Sequence, residues 1–254
     1  MSDENPLAES LRLLWEGRPG SEKGPRPKLS LERVVATGIE LADRDGLDAL
    51  TMRGLAQELD VGATSLYRYV PSKGELMDLM LDAVSGPSQA RLAAANDGWR
   101  EFLTVTAREN RLLYLAHPWA LQANWNRPVM GPSSIADLDL FLSGLRGTGL
   151  SDQKKMDLRA SLDSFVSGSV RQELLWHTAA IESGMSEDEF WELQMPTFRR
   201  AMDSGRFPSM ATMEHDAFDS SWAETFETGL QVMLDGIETM VWQNSPSARD
   251  HKHQ

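Results

Sequence analysis

Residues 51–73 gather the side chains best suited to chemistry with a nucleic acid. Ala63, Thr64, Ser65, Tyr67, Arg68 and Tyr69 offer small faces, hydroxyls, phenols and a guanidinium, with no carboxylate among them. Such groups bond phosphate oxygens and read base edges. Thr51 and Arg53 open the preceding helix, where free backbone N–H groups and the helix dipole favour an anion. Lys73 holds the same position at the start of the next one. The competing readings are plain: Tyr67 as half-buried packing, Arg68 and Lys73 as solvated charges.

A second set is apolar. Eight tryptophans and thirteen methionines are many for 254 residues. Trp119, Trp125, Met130, Phe165, Trp176 and Trp191, with Met185 and Met195, would line a ligand cavity with adaptable walls. His117 and His177 would orient its occupant. The alternative for each residue is ordinary helix-packing core. Catalytic chemistry finds less support. The five histidines show no helical metal spacing, so neither a metal nor a cofactor is expected. Glu187-Asp188-Glu189 follows Ser186 and reads as a capped helix start. No phosphate-binding glycine loop or nucleophile elbow is present, and the chain has no cysteine, so an enzyme is not expected.

The elements that must carry these residues are helical, and the expected fold class is all-α. Ser30 caps a helix whose Leu31, Val34, Val35, Gly38, Ile39 and Ala42 share one face. Thr51 caps the next, with Met52, Leu55, Ala56 and Leu59 inward. After the turn Asp60-Val61-Gly62 a short helix over 63–69 buries Leu66 and Val70, and Pro71 stops it. Ser72 and Glu75 have capping-box spacing. Two short helices joined by a three-residue turn make the helix-turn-helix layout, whose second helix enters a major groove. Asp60 stands where a turn glycine is usual, and aspartate tolerates positive φ better than most residues. Longer helices follow over 99–115, 134–145, 156–178 and 221–243. The pattern divides the chain into a flexible arm over 1–28, a helix-turn-helix domain over 29–85, a helical ligand-binding and dimerisation domain over 86–243, and a flexible tail over 244–254.

Composition bounds the function. The net charge is −13, which argues against a protein that coats nucleic acid without specificity. Residues 18–75 hold nine basic and nine acidic residues, so no basic patch announces DNA. No apolar run reaches the roughly 18–20 residues that cross a bilayer, and the acidic N-terminus does not read as a secretory signal. A cytoplasmic protein with no membrane partner is expected.

Here the residues carry a family resemblance. Leu50-Thr51-Met52-Arg53-Gly54-Leu55-Ala56-Gln57-Glu58-Leu59, then Ser65-Leu66-Tyr67-Arg68-Tyr69-Val70-Pro71-Ser72-Lys73-Gly74-Glu75-Leu76, resemble the DNA-binding domain of the tetracycline-repressor family. His117-Pro118-Trp119, Phe165-Val166-Ser167-Gly168 and Phe226-Glu227-Thr228-Gly229-Leu230 resemble its C-terminal domain. The resemblance implies a homodimeric repressor that binds double-stranded operator DNA and is released by a small-molecule effector. It implies that Arg53 lies near a base or phosphate and that Ala63, Thr64 and Arg68 face base edges. Ser65, Tyr67, Tyr69 and Lys73 would hold phosphates. Pairing also follows from arithmetic, because one recognition helix reads too few base pairs for a genome, and a twofold dimer demands a near-palindromic site. The helices over 156–178 and 221–243 are the candidates for the intersubunit bundle. A helical adaptor that binds partners or ligand without specific DNA recognition is the competing function, and it requires residues 64–73 to be mere surface.

Overall fold

The computed structural model describes residues 5–17, 29–122, 129–214 and 216–244. Among them every regular element is helical, as the periodicities require. The order is α1 (Pro6–Glu16), α2 (Leu31–Asp45), α3 (Met52–Glu58), α4 (Ala63–Tyr67), α5 (Lys73–Val84), α6 (Gln89–Ala94) and α7 (Trp99–Ala116). A 3-10 helix (Pro118–Gln122) precedes α8 (Pro132–Gly144), α9 (Asp152–Ser183), α10 (Glu187–Asp203), α11 (Pro208–Ala211) and α12 (Trp222–Asn244).

The N-terminal caps fall where side-chain chemistry puts them. Ser30 accepts the Arg33 N–H at 3.2 Å and Thr51 the Gly54 N–H at 3.1 Å. Ser186 and Glu189 complete a reciprocal capping box at the head of α10. Ser72 instead accepts the Gly74 N–H at 3.0 Å and meets Glu75 side chain to side chain. The helix expected over 63–69 ends at Tyr67, because Arg68 and Tyr69 form the turn that Pro71 imposes. The helix expected over 156–178 runs longer, from its Ser151 cap to the left-handed Gly184.

One expectation is corrected. Composition averaged over 1–28 suggested a flexible arm, but 6–16 is a helix packed along α5. Asn5 caps it by accepting the Leu7 N–H, and Pro6 starts it with no donor to lose. Leu13 is buried, and the buried Ser10 hydroxyl donates to Asp78 on α5 at 2.6 Å. The prolines and glycines of 18–28 masked this short amphipathic segment. Residues 18–28 and the tail from 245 onward lie outside the described residues.

Helices α2, α3 and α5 pack around Val34, Leu55, Leu66, Val70, Leu76 and Met80, all essentially sealed from solvent. A second body builds on α7, against which α6, α8, α9 and α12 lie. Its centre is Phe102, Phe141, Leu162, Val166, Phe226 and Leu230. Phe165 fits there because Gly229 has no side chain: a Cβ on Gly229 would stand 2.7 Å from the Phe165 ring. With nothing in the way, Phe165 stacks on Phe226 at 5.3 Å and locks α9 to α12.

Candidate nucleic-acid interface and ligand cavity

Burial of Leu66 and Val70 decides which way α4 faces. With both fully enclosed, Ala63, Thr64, Ser65, Tyr67 and Arg68 turn to solvent, and Tyr67 is 50% exposed. Asp60 takes φ +53°, the one positive value outside glycine among the described residues, so the turn closes as the aspartate permits. Arg53 and Arg68 are exposed and form no ion pair among the described residues. This leaves both guanidiniums available to an outside anion. Thr51 uses its oxygen on Gly54 and keeps its proton to donate.

Two residues of this set are engaged inside the protein. Tyr69 is half buried, and its hydroxyl donates to the Leu29 carbonyl at 2.9 Å. A phenol has one proton, so while that bond stands Tyr69 does not donate to a phosphate; here it ties α2's entry to the α4 turn. Lys73 donates to the Leu47 carbonyl at 2.6 Å. Its ammonium retains two further protons, so this tie fixes its place without spending it.

The reading head is bolted to the C-terminal body at two carboxylates. Asp43 on α2 accepts the Trp119 indole N–H at 2.6 Å, and His117 Nδ1 lies 2.8 Å from the same oxygen. Asp82 on α5 caps a helix it does not belong to. It accepts Ser133 N–H at 3.2 Å, Ser134 N–H at 2.9 Å and the Ser134 hydroxyl at 2.8 Å, all at the start of α8. The natural cap position of α8 is Gly131, which has no side chain to offer, and a Cβ there would collide with the Asp82 carboxylate. α1 adds a third tie, as Trp15 donates to the Met130 carbonyl at 2.9 Å.

A cavity of about 470 Å³ opens between the end of α5 and helices α6 to α9. Its apolar wall includes Leu113, Leu138 and Met156, and its polar wall Asn110, Tyr114, Asp137, Arg159, Asp163 and Arg171. Asp137 is buried between two guanidiniums, Arg91 and Arg159, the latter at 2.6 Å. Burial pushes the Asp163 carboxyl above its ordinary value, Arg159 opposing and Asp137 adding to the shift. Burial also pushes the Tyr114 hydroxyl up, so it stays protonated.

Of the residues expected around a ligand, only Met130 lines this cavity. Trp119 is 1% exposed and bound to Asp43, and His117 is its companion there. Phe165 belongs to the α9–α12 packing. Trp176 meets Phe190 edge-on at 5.2 Å, and Trp191 packs with Phe190 and Phe218, in an aromatic cluster away from this cavity, while Trp191 and Met195 line a separate pocket on α10. His177 is exposed on α9. Trp125 lies outside the described residues. The sequence reading sought aromatic walls, whereas this cavity sets leucine and methionine side chains against arginines and aspartates that sit on α6, α8 and α9. Their signal was present as charges on otherwise apolar helix faces, Arg91, Asp137 and Asp163.

The described residues offer no group of His, Cys, Asp or Glu that could hold a metal ion. None of their helices is long and apolar enough to cross a membrane.

A fold with an exposed helix-turn-helix joined to a helical body with a cavity defines a DNA-binding regulator with a sensing domain. Comparison with known proteins places it. Residues 34–80 match the bacterial regulatory proteins of the tetR family, and residues 92–241 match the tetracyclin repressor-like C-terminal domain. The transcriptional repressor DrrR1 of Streptomyces coeruleorubidus is 41% identical over 95% of this chain and 89% of its own. The class A tetracycline repressor from Escherichia coli is 28% identical over 83% and 91%. The crystal structure of ActR from Streptomyces coelicolor in complex with actinorhodin superposes with a TM-score of 0.66 at 26% identity, covering 86% of this chain and 99% of that one. The chain belongs to the TetR family, and it is a ligand-responsive helix-turn-helix transcriptional repressor.

Proposed function

We propose that two copies of the chain hold a near-palindromic operator, with Arg68 of each α4 reading a base edge, and that an effector in the 470 Å³ cavity releases it. The observation that carries this reading is the pair of unpaired guanidiniums, Arg53 and Arg68, on the exposed face that Leu66 and Val70 fix. Thr51, Ser65, Tyr67 and Lys73 surround them as donors to phosphate, and Ala63 and Thr64 let α4 come close to the bases. The adaptor reading would leave that cluster without a purpose.

Pairing of two copies is supported by apolar surface a lone protomer leaves bare. Leu175 and Ile181 on α9, Leu193 on α10, and Val232 and Trp242 on α12 are all exposed. The space over Gly168 on α9 and Gly236 on α12 is open, so another helix could come near either. The domain division follows: 29–85 reads, and 86–243 senses and pairs. The effector's influence would pass through Ser134, which lines the cavity and binds Asp82 of α5. An effector moves the heads only by binding the released and DNA-bound forms unequally. The protein works in the cytoplasm and acts by binding, not as an enzyme.

Selection of binding sites from random duplexes tests this. Wild-type protein should enrich a palindromic motif. Arg68→Ala should lose about 1–3 kcal/mol on that motif and little on random DNA. Equal loss on both would demote Arg68 to a phosphate contact. A folded dimer that enriches nothing would favour the adaptor.

A further inference from the structure

We propose that the cavity takes a small amphipathic anion, a carboxylate or ionised phenol on an apolar ring body; this rests on the cavity being the effector site. Three guanidiniums reach it, from Arg91, Arg159 and Arg171, against two carboxylates, Asp137 and Asp163. Asp137 is already paired with both Arg91 and Arg159, one on each oxygen. Asp163 lies 3.8 Å from Arg159, and burial works against its charge. Arg171 donates to a neutral partner, the Leu121 carbonyl at 2.9 Å, and forms no ion pair among the described residues. The polar wall is therefore positive by at least one charge.

Donors are in surplus as well. Arg91 is 5% exposed, and its Nε is buried with no hydrogen-bond partner among the described residues. A cationic ligand would place its charge beside three guanidiniums that outnumber the two carboxylates. An anion would bring lone pairs and neutralise Arg171, while its rings lie against Leu113, Leu138 and Met156.

The test uses the full chain and two fluorescent probes that share one ring body, anilinonaphthalene sulfonate and neutral phenylnaphthylamine. The sulfonate should bind at least about tenfold tighter than the neutral probe. Arg171→Gln should weaken the sulfonate about tenfold and leave the neutral probe within about twofold. Asp163→Asn should tighten the sulfonate. Ala160→Trp, which fills the cavity, should abolish binding of both, with Ser164→Phe as the substitute if that variant does not fold. Equal affinity for the two probes, lost together in Ala160→Trp, would overturn the charge class and leave the cavity reading intact. Sulfonate binding unaltered by either filling variant would overturn the cavity reading and this proposal with it.

Discussion

Asp82→Ala is the perturbation that bears most directly on how the two bodies communicate. Asp82 is 6% exposed and accepts three hydrogen bonds from Ser133 and Ser134, so its removal strips α8 of its cap. Loss of an N-cap costs about 0.5–2 kcal/mol. A partly buried carboxylate at a helix N-terminus adds up to about 2 kcal/mol through the dipole. These overlap, and the freed Ser134 N–H recovers some solvation, so a net loss of about 2–3 kcal/mol is expected. For a chain of this size that lowers the midpoint of thermal unfolding by about 4–12 °C. Urea denaturation at fixed protein concentration measures the stability, since pairing makes it concentration-dependent. Asp82→Asn keeps one acceptor and should fall between wild type and alanine. The same variants report on coupling. If an effector weakens operator binding by the usual coupling of about 1–3 kcal/mol, Asp82→Ala should remove at least half of it. A change in stability below about 0.5 kcal/mol would refute the capping argument. Full coupling in a folded Asp82→Ala dimer would refute the route through α8.

Two further outcomes follow from neighbouring contacts. Tyr69→Phe should cost about 1 kcal/mol of stability by freeing the Leu29 carbonyl, with operator affinity unchanged; lost affinity at unchanged stability would return Tyr69 to the phosphates. Asp163 has a folded value above its ordinary 3.8, so its protonated form favours folding below pH 3.8 and that contribution is lost as pH rises through the folded value. Asp163→Asn should therefore raise stability at neutral pH, with the gain shrinking as pH falls toward 3.8, and a gain that persists unchanged in acid would show that the carboxyl's charge is not its source.

The reading head was legible because its determinants are local. Caps at Ser30 and Thr51, the stop at Pro71 and the apolar spacing of Leu55, Leu59, Leu66 and Val70 each act within a few residues, and they fix which face of α4 is outward. α1 escaped because eleven helical residues were averaged with a proline- and glycine-rich stretch, and because its stability comes from burial of Leu13 and Ser10 against α5 rather than from its own propensity.

The sensing side was decided by tertiary contact. Nothing in the order of residues says that Trp119 would face Asp43, 76 positions away, instead of a ligand. Nor does it say that Phe165 would find the bare backbone of Gly229 on another helix. Aromatic type and helical spacing are the same for a cavity wall and for a core. Which one results depends on where the helices cross. The arginines and aspartates of the cavity came together only because α6, α8 and α9 converge there, and Asp82 became a cap only because α5 ends against Gly131. The sequence alone determined the helices, the turn and the outward face of α4, since those rest on interactions within a turn or two. The cavity, its charge and its link to the DNA-reading head rest on contacts between distant segments, and the packing of the helices chose them.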